Sequence, residues 1–358
     1  MRRALLPAAA LLLLAIGLLA WPWPAWRTGE TPLPELRYLP PGTAPARAGR
    51  VWVDADAACG TGRRRDPDDC LALLSLSLAQ GLTLVGVSTV YGNAPLAETD
   101  AVVRALVQQI RPPGGPPLPV HRGCGAALLD CGRQGGSRQA QDALLAALQA
   151  GALEVVALGP LTNLAAVIAR EPVLARRITR IVAVMGRRPG HRLHPSENHG
   201  VGALLFGHGP IFRDLNAVLD PQAVAVVLRS GIPLVLVPYT AARQVSLTGA
   251  DLDAIAGGSA AGRWVAERSR DWLEFWRAQV GLPGFYPFDL MAAAYLREPA
   301  AFGCARVHAR VGEDPLLPWF GGGPALLVSQ DPSVPAAEGA GLVLYCDRVS
   351  LRPGSLFE

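Results

Sequence analysis

From residue 50 onward, short apolar runs alternate with longer stretches in which apolar residues recur every three or four positions. The short runs predict strands over 50–54, 82–89, 154–158, 180–185 and 233–237. The longer stretches predict helices over 68–80, 95–110, 137–150, 161–171, 221–229, 260–280 and 289–297. Strands that are apolar at nearly every position are buried on both faces. The order therefore predicts an α/β fold, a mostly parallel sheet with helices on both faces. After residue 300 the runs ARVHARV, PALLVS and GLVLYC sit between Pro/Gly turns and predict a small antiparallel C-terminal β extension. Ligands of parallel sheets bind beyond the carboxyl ends of the strands, so polar residues at those ends are the ones to inspect.

The first 26 residues carry a different pattern. Arg2 and Arg3 precede an apolar run from Ala4 to Ala20, followed by Trp21, Trp23 and Trp26. The run approaches the roughly 20 residues that span a bilayer, with tryptophans where an interface would lie. Residues 1–26 read as a signal peptide or membrane anchor, with an uncleaved single span preferred because no clear A-x-A site precedes a polar start. The positive-inside rule then leaves the rest outside the cytoplasm, anchored, or secreted or periplasmic after cleavage. Residues 27–49, rich in Pro, Gly and Arg, read as a linker to a single domain over 50–358.

Composition narrows the chemistry. The net charge of +4 on 358 residues is weak and scattered, which argues against nucleic-acid binding. All basic side chains other than histidine are arginine, so lysine Schiff bases and phosphate-loop lysines are excluded. Six cysteines fit an exported chain. Nearest-neighbour pairing gives Cys59–Cys70, Cys124–Cys131 and Cys304–Cys346, one of fifteen arrangements.

Polar residues gather where the pattern places strand ends. VDAD delivers Asp54 and Asp56 from the first strand, and PDDCLALL opens the next helix with Asp68 and Asp69. Four carboxylates at one strand end repel each other unless a cation sits among them, and hard oxygen donors suit Ca²⁺ or Mg²⁺. The alternative is that Asp68 and Asp69 only cap their helix. YGN brings Asn93 to the end of the second strand, and GPLTN (159–163) follows the third. RDLN carries Asp214 and Asn216, and YPFD carries Asp289.

In this order the motifs resemble the inosine-uridine-type nucleoside hydrolases, over roughly residues 50–300. The resemblance implies a Ca²⁺ held by Asp56, Asp69, Asp289 and the backbone carbonyl of Leu158. It implies ribose-hydroxyl contacts from Asp68, Asn93, Asp214 and Asn216, with Asp54 in support. Asp56 would take a proton from a calcium-bound water that attacks the anomeric carbon. The expected function is hydrolysis of the N-glycosidic bond of a small-molecule riboside, with a homo-oligomer left open. The Asp-x-Asp to Asp-Asp spacing is about eight residues longer than in the family, through AACGTGRRRDP. That insertion reads as a solvated loop stapled by Cys59 and Cys70, or as a contact for an anionic ligand group.

Other departures fall on the leaving-group side. Phe288 stands where the family commonly has a histidine acid, Asp214 where it has Glu, His208 where it has Asn, and Arg243 where it has His. His208 and Phe288 are retained as substrate contacts, and stacking on Phe288, Tyr286 or Trp319 is one way to make a purine easier to protonate. His191, His194 and His199 read as part of a flap rather than a metal site. Two alternatives stand beside hydrolysis. One is a tethered nucleoside- or ribose-binding module that lacks turnover. The other is a haloacid-dehalogenase-like phosphatase, which shares the Asp-x-Asp opening but gives no reason for YGN or GPLTN.

Overall fold

The computed structural model describes residues 35–40, 49–60, 65–111, 115–189, 214–313, 324–331 and 341–358. The N-terminal apolar run, Thr61–Arg64, His191, His194, His199, His208 and Trp319 lie outside the described residues. Among the described residues no helix is long and apolar enough to cross a membrane.

The apolar runs become strands β1 (Arg50–Ala55), β2 (Thr83–Thr89), β3 (Val120–Arg122), β4 (Leu153–Ala157), β5 (Ile178–Ala183) and β6 (Leu234–Leu236). A two-stranded pair follows, β7 (Leu247–Thr248) with β8 (Gly284–Phe285), and then β9 (Phe302–Glu313), β10 (Pro324–Ser329) and β11 (Gly341–Val349). The helices are α1 (Asp68–Leu78), α2 (Leu96–Ile110), α3 (Gln139–Ala150), α4 (Thr162–Arg170), α5 (Pro172–Ala175) and α6 (Leu215–Leu219). They continue as α7 (Pro221–Arg229), α8 (Tyr239–Ala242), α9 (Gly249–Gly258), α10 (Ala260–Phe275), which runs into a π-helical turn over Trp276–Val280, and α11 (Phe288–Arg297).

One nine-stranded sheet runs in the order β10-β9-β11-β6-β5-β4-β1-β2-β3. All pairings from β11 to β3 are parallel, and only those of β9 with β10 and β11 are antiparallel. The C-terminal strands form the expected antiparallel extension, and it is joined to the main sheet by the parallel pairing of β11 with β6. Burial on both faces explains why β1 and β4 are apolar almost throughout, with core clusters on each side. The chain proceeds from β1 toward β3 on one side, then crosses to β4, β5 and β6 on the other. β1 and β4 therefore flank the point where the strand order reverses, and a crevice opens there.

Two helices aim at that crevice. α1 and α11 pack closely, and both begin beneath the end of β1. Asp68 Oδ2 accepts the backbone N–H of Asp289 at 3.1 Å, joining their N-terminal ends. At the far ends Arg297 donates to the carbonyls of Ser75 and Leu356 at 2.7 and 2.6 Å. The pair is therefore parallel, with two partly positive helix N-termini side by side.

The three disulfides join Cys59 to Cys70, Cys124 to Cys131 and Cys304 to Cys346. The first ties the insertion to α1, and the last crosses β9 and β11 at facing positions. Within the span read as linker, residues 35–40 lie against the domain. Leu36 is buried, Tyr38 bridges to Ala305, and its hydroxyl donates to Asp347 Oδ1 at 2.9 Å.

Candidate active site

β1 ends by carrying Asp54 and Asp56 into the crevice, and each carboxylate is held by a different shell. Asp54 Oδ1 accepts from Ser88 Oγ at 2.6 Å and from Asn163 Nδ2 at 2.8 Å. Asn163, the last residue of GPLTN, also receives the N–H of Cys124 at 2.9 Å. It thereby locks the ends of β1, β3 and β4 together. Asp56 Oδ2 accepts the N–H of Asn93 at 2.8 Å, while Oδ1 is buried with no hydrogen-bond partner. The glycines of the two motifs make room for that carboxylate. A Cβ at Gly92 would collide with Asp56 Oδ2, and one at Gly159 would sit 2.9 Å from Asp56 Cγ.

Asp69 does not cap its own helix. Its Oδ1 accepts the N–H of Asp56 at 3.1 Å and its Oδ2 accepts Asn93 Nδ2 at 3.2 Å. Carboxylate oxygens of Asp56, Asp69 and Asp289 all lie within 4.8 Å of one another, and all three residues are buried. The Leu158 carbonyl faces the same cavity and accepts Asn216 Nδ2 at 2.6 Å. Oxygens on opposite sides of a Ca²⁺ ion stand about 4.6–5.2 Å apart. An all-oxygen donor set at this spacing, with an orphaned Asp56 Oδ1, fits a hard divalent cation.

Electrostatics point the same way. Burial, then the nearby Asp69 charge, holds the Asp56 carboxyl well above its ordinary range. Burial and Asp68 push Asp69 up to about 7 and hold Asp289 well above normal. Burial alone takes Asp54 up to about 6. Buried like charges resist ionisation together, and a cation among them would favour the anionic forms of Asp56, Asp69 and Asp289.

A cavity of about 250 Å³ opens above this floor. Asp66, Asp68, Asn93, Leu158, Asn216 and Asp289 line its polar side, with Asp214 at the edge. Asp214 Oδ2 accepts the N–H of Gly186 at 2.8 Å, and burial raises its carboxyl to about 6. The other wall is apolar: Val184, Met185, Leu215, Tyr239, Trp272 and Phe288. The Tyr239 and Phe288 rings stack at 5.5 Å.

The structure thus brings Asp56, Asp69 and Asp289 into one cluster, and Leu158, Asp68, Asn93, Asp214, Asn216 and Phe288 around one cavity. His208 lies outside the described residues, and neither Tyr286 nor Arg243 lines the cavity. Arg65 of the insertion pairs with Glu98. Sequence reasoning did not find Asp66, Met185, Tyr239 or Trp272, which belong to no motif and meet only in the fold. Asn163 closes the GPLTN motif and Asp220 precedes α7, but their roles appear only in the fold. Asp220 receives Thr162 Oγ1 at 2.7 Å and the N–H of Leu128 at 2.8 Å.

The family model for inosine-uridine preferring nucleoside hydrolases matches residues 51–316. This chain belongs to that family. The match removes the phosphatase alternative for the Asp-x-Asp opening. An uncharacterized protein of Schizosaccharomyces pombe is 27% identical over 50% of this chain and 59% of its own length. The pyrimidine-specific ribonucleoside hydrolase RihA of Enterobacter sp. (strain 638) is 29% identical over 41% of this chain and 43% of its own. The chain thus spans about half the length of these curated relatives. A plant nucleoside hydrolase, the PpNRh1 enzyme, superposes with a TM-score of 0.67 at 20% identity, covering 86% of this chain and 97% of that one. That likeness shares the nucleoside hydrolase fold.

Proposed function

We propose that this nucleoside hydrolase family member hydrolyses the N-glycosidic bond of a ribonucleoside or related riboside with Ca²⁺ as cofactor. The observation that carries the reading is the buried cluster of Asp56, Asp69 and Asp289 at the floor of a cavity rimmed by amide and carboxylate groups. Those three carboxylates and the Leu158 carbonyl would hold the ion. When bound, Ca²⁺ would lower the pKa of an attacking water and orient it against the sugar.

The chain's own groups supply the rest. Asn93 fixes the orientation of the Asp56 carboxylate, which would both help hold the ion and take a proton from water. Asp68, Asp214, Asn93 and Asn216 offer acceptors and donors to the ribose hydroxyls, and their anionic members stabilise positive charge growing on the ring. Fixed positions lower the orientational cost of attack. The names of the relatives do not choose the base here, because the apolar wall is built from residues outside the motifs.

Phe288 cannot donate a proton, which favours a second reading: riboside binding without turnover. Export, through an N-terminal anchor or a cleaved signal, is also proposed. Three disulfides and no free cysteine among the described residues support an oxidising compartment.

The test is reducing-sugar release by the full-length chain from a riboside panel with Ca²⁺. Hydrolysis is expected to vanish on chelation and in Asp56→Asn. Turnover that survives both would overturn the assignment, and calcium-dependent riboside binding without sugar release would favour the second reading.

A further inference from the structure

We propose that the Cys59–Cys70 disulfide is a positioning element of the cation site: it restores a short covalent path between Asp56 and Asp69 and thereby strengthens Ca²⁺ binding. The inference rests on the reading of Asp56, Asp69 and Asp289 as cation ligands, and it adds two residues and a condition to that site. It starts from chain length. Asp56 follows β1 and Asp69 is the second residue of α1, so twelve residues, 57–68, separate two carboxylates that must meet around one ion. The family spacing, about eight residues shorter, leaves about four. For a loop held at its ends, the probability of closure falls roughly as the −3/2 power of its length. Tripling the length therefore costs about fivefold.

The bridge undoes that lengthening. Cys59 lies three residues after Asp56, Cys70 follows Asp69 directly, and their sulfurs are joined. The covalent path from Asp56 to Asp69 through the bridge runs over Ala57, Ala58, Cys59 and Cys70 alone. That is four residues and one S–S link, the family spacing regained by another route. All four residues are buried, and Cys59 and Cys70 belong to the same core cluster as Leu71 and Leu74 of α1. The hydrogen bonds that join the same segments are made by the ligand carboxylates themselves. Asp69 Oδ1 accepts the Asp56 N–H, and Asn93 donates to both residues. The bridge ties the segments without engaging a carboxylate oxygen. Because α1 packs on α11, which carries Asp289, fixing α1 serves all three ligands.

The consequence is that cation affinity follows oxidation. A chain with Cys59 and Cys70 as thiols is the weaker binder. It becomes the tighter one when a thiol–disulfide oxidant takes up two electrons and two protons and the S–S bond forms. Disulfides persist in oxidising compartments, so the site matures where the bridge does.

The test is calorimetric Ca²⁺ titration of the full-length chain, read as Kd with no substrate present. Cys59→Ser with Cys70→Ser is expected to raise Kd at least about fivefold. Cys304→Ser with Cys346→Ser, which opens the bridge between β9 and β11, is expected to change it by less than about twofold. Deleting residues 60–67 from the Cys59→Ser/Cys70→Ser chain leaves a four-residue loop and is expected to restore most of the lost affinity. A bridge acting only on overall stability would not give that rescue. A second measurement needs no variant. Coupling is reciprocal, so saturating Ca²⁺ must protect the bridge by the same factor. In dithiothreitol mixtures the reagent passes two electrons and two protons to the protein disulfide and closes to its own ring. Half-reduction of Cys59–Cys70 is expected to need at least about fivefold more reductant with Ca²⁺ than without it, and that of Cys304–Cys346 to be unmoved. An unchanged Kd in the folded Cys59→Ser/Cys70→Ser chain, an equal loss in the Cys304→Ser/Cys346→Ser chain, or a folded deletion chain no tighter than its parent overturns the inference. So does a half-reduction point that Ca²⁺ does not move. Each of these leaves the cation reading intact, whereas no Ca²⁺ binding by the unaltered chain overturns both.

Discussion

The two walls of the cavity are built by different rules. The polar wall comes from strand ends and helix starts, where Asp56, Asp69, Asn93 and Asp289 hold one another within a few hydrogen bonds. The apolar wall comes from side chains on α6, α8, α10 and α11 and the end of β5, which touch only because the chain folds back. One wall has fixed atoms suited to a cation and a sugar. The other offers surface. On the proposed reading, reaction chemistry and leaving-group choice would reside on separable parts of the same pocket, and each can be broken alone.

The sharpest way to test that separation is the polar floor. Asp56→Asn keeps the shape and removes the proposed base. It is expected to lower kcat by about 10³-fold, within the range for losing a general base, and to shrink any calcium-dependent rise in melting temperature, because Asp56 would also hold the ion. Asp289→Ala is expected to abolish the calcium-dependent rise in melting temperature as well. A variant at the floor that retains kcat would show that the chemistry lies elsewhere.

Next in size are the motif glycines. Gly159→Ala places a methyl group 2.9 Å from Asp56 Cγ and 2.8 Å from Val90 Cγ1, so something must move. Overpacking of this kind costs about 1–3 kcal/mol, and a displaced base is expected to cost at least about 30-fold in kcat. Stability and rate measured together would separate the two effects. A variant with unchanged kcat would mean that the Asp56 position tolerates adjustment.

These glycines also show what was legible in the sequence. YGN and GPLTN mark strand ends, and their order identifies a family, yet nothing in the letters says that Gly92 and Gly159 clear space for a carboxylate in another strand. The apolar runs and helical stretches predict most elements to within a few residues. Helix α9 escapes because GADLDAIAGG has Gly and Ala where a clear apolar stripe would be, and β3 because three residues carry no period. The apolar wall escapes for a different reason. Met185, Tyr239 and Trp272 lie far apart in the chain, and each is an ordinary apolar residue until tertiary contacts gather them. Asp66 reads as part of a basic insertion, whereas the Cys59–Cys70 bridge and the pair of Arg65 with Glu98 leave it facing the pocket.

The boundary between the walls has its own pH signature. Burial raises the Asp214 carboxyl from about 3.8 to about 6 in the folded chain. The folded state then holds more protons than the unfolded state between those values, so stability falls as pH rises. The contribution is complete below about pH 4 and lost as pH rises through about 6. About two pKa units correspond to roughly 3 kcal/mol. In calcium-free protein, Asp214→Asn is expected to raise the melting temperature at pH 7.5 by several degrees and to leave it nearly unchanged at pH 4.5. An equal shift at both values would mean that Asp214 is not the titrating group.

The smallest effect belongs on the apolar wall. Trp272 is buried, and its rings pack against Phe275 at 5.1 Å and Trp276 at 6.3 Å. Its indole N–H has no hydrogen-bond partner, so replacing it with an apolar ring leaves no other protein group unsatisfied. Trp272→Phe keeps much of the aromatic surface and is expected to raise KM about threefold with kcat unchanged, the pattern for lost uniform binding. If kcat instead fell by 10²-fold or more, the indole would be acting on the reaction itself, and the division between a reactive floor and a recognising wall would have to be redrawn through α10.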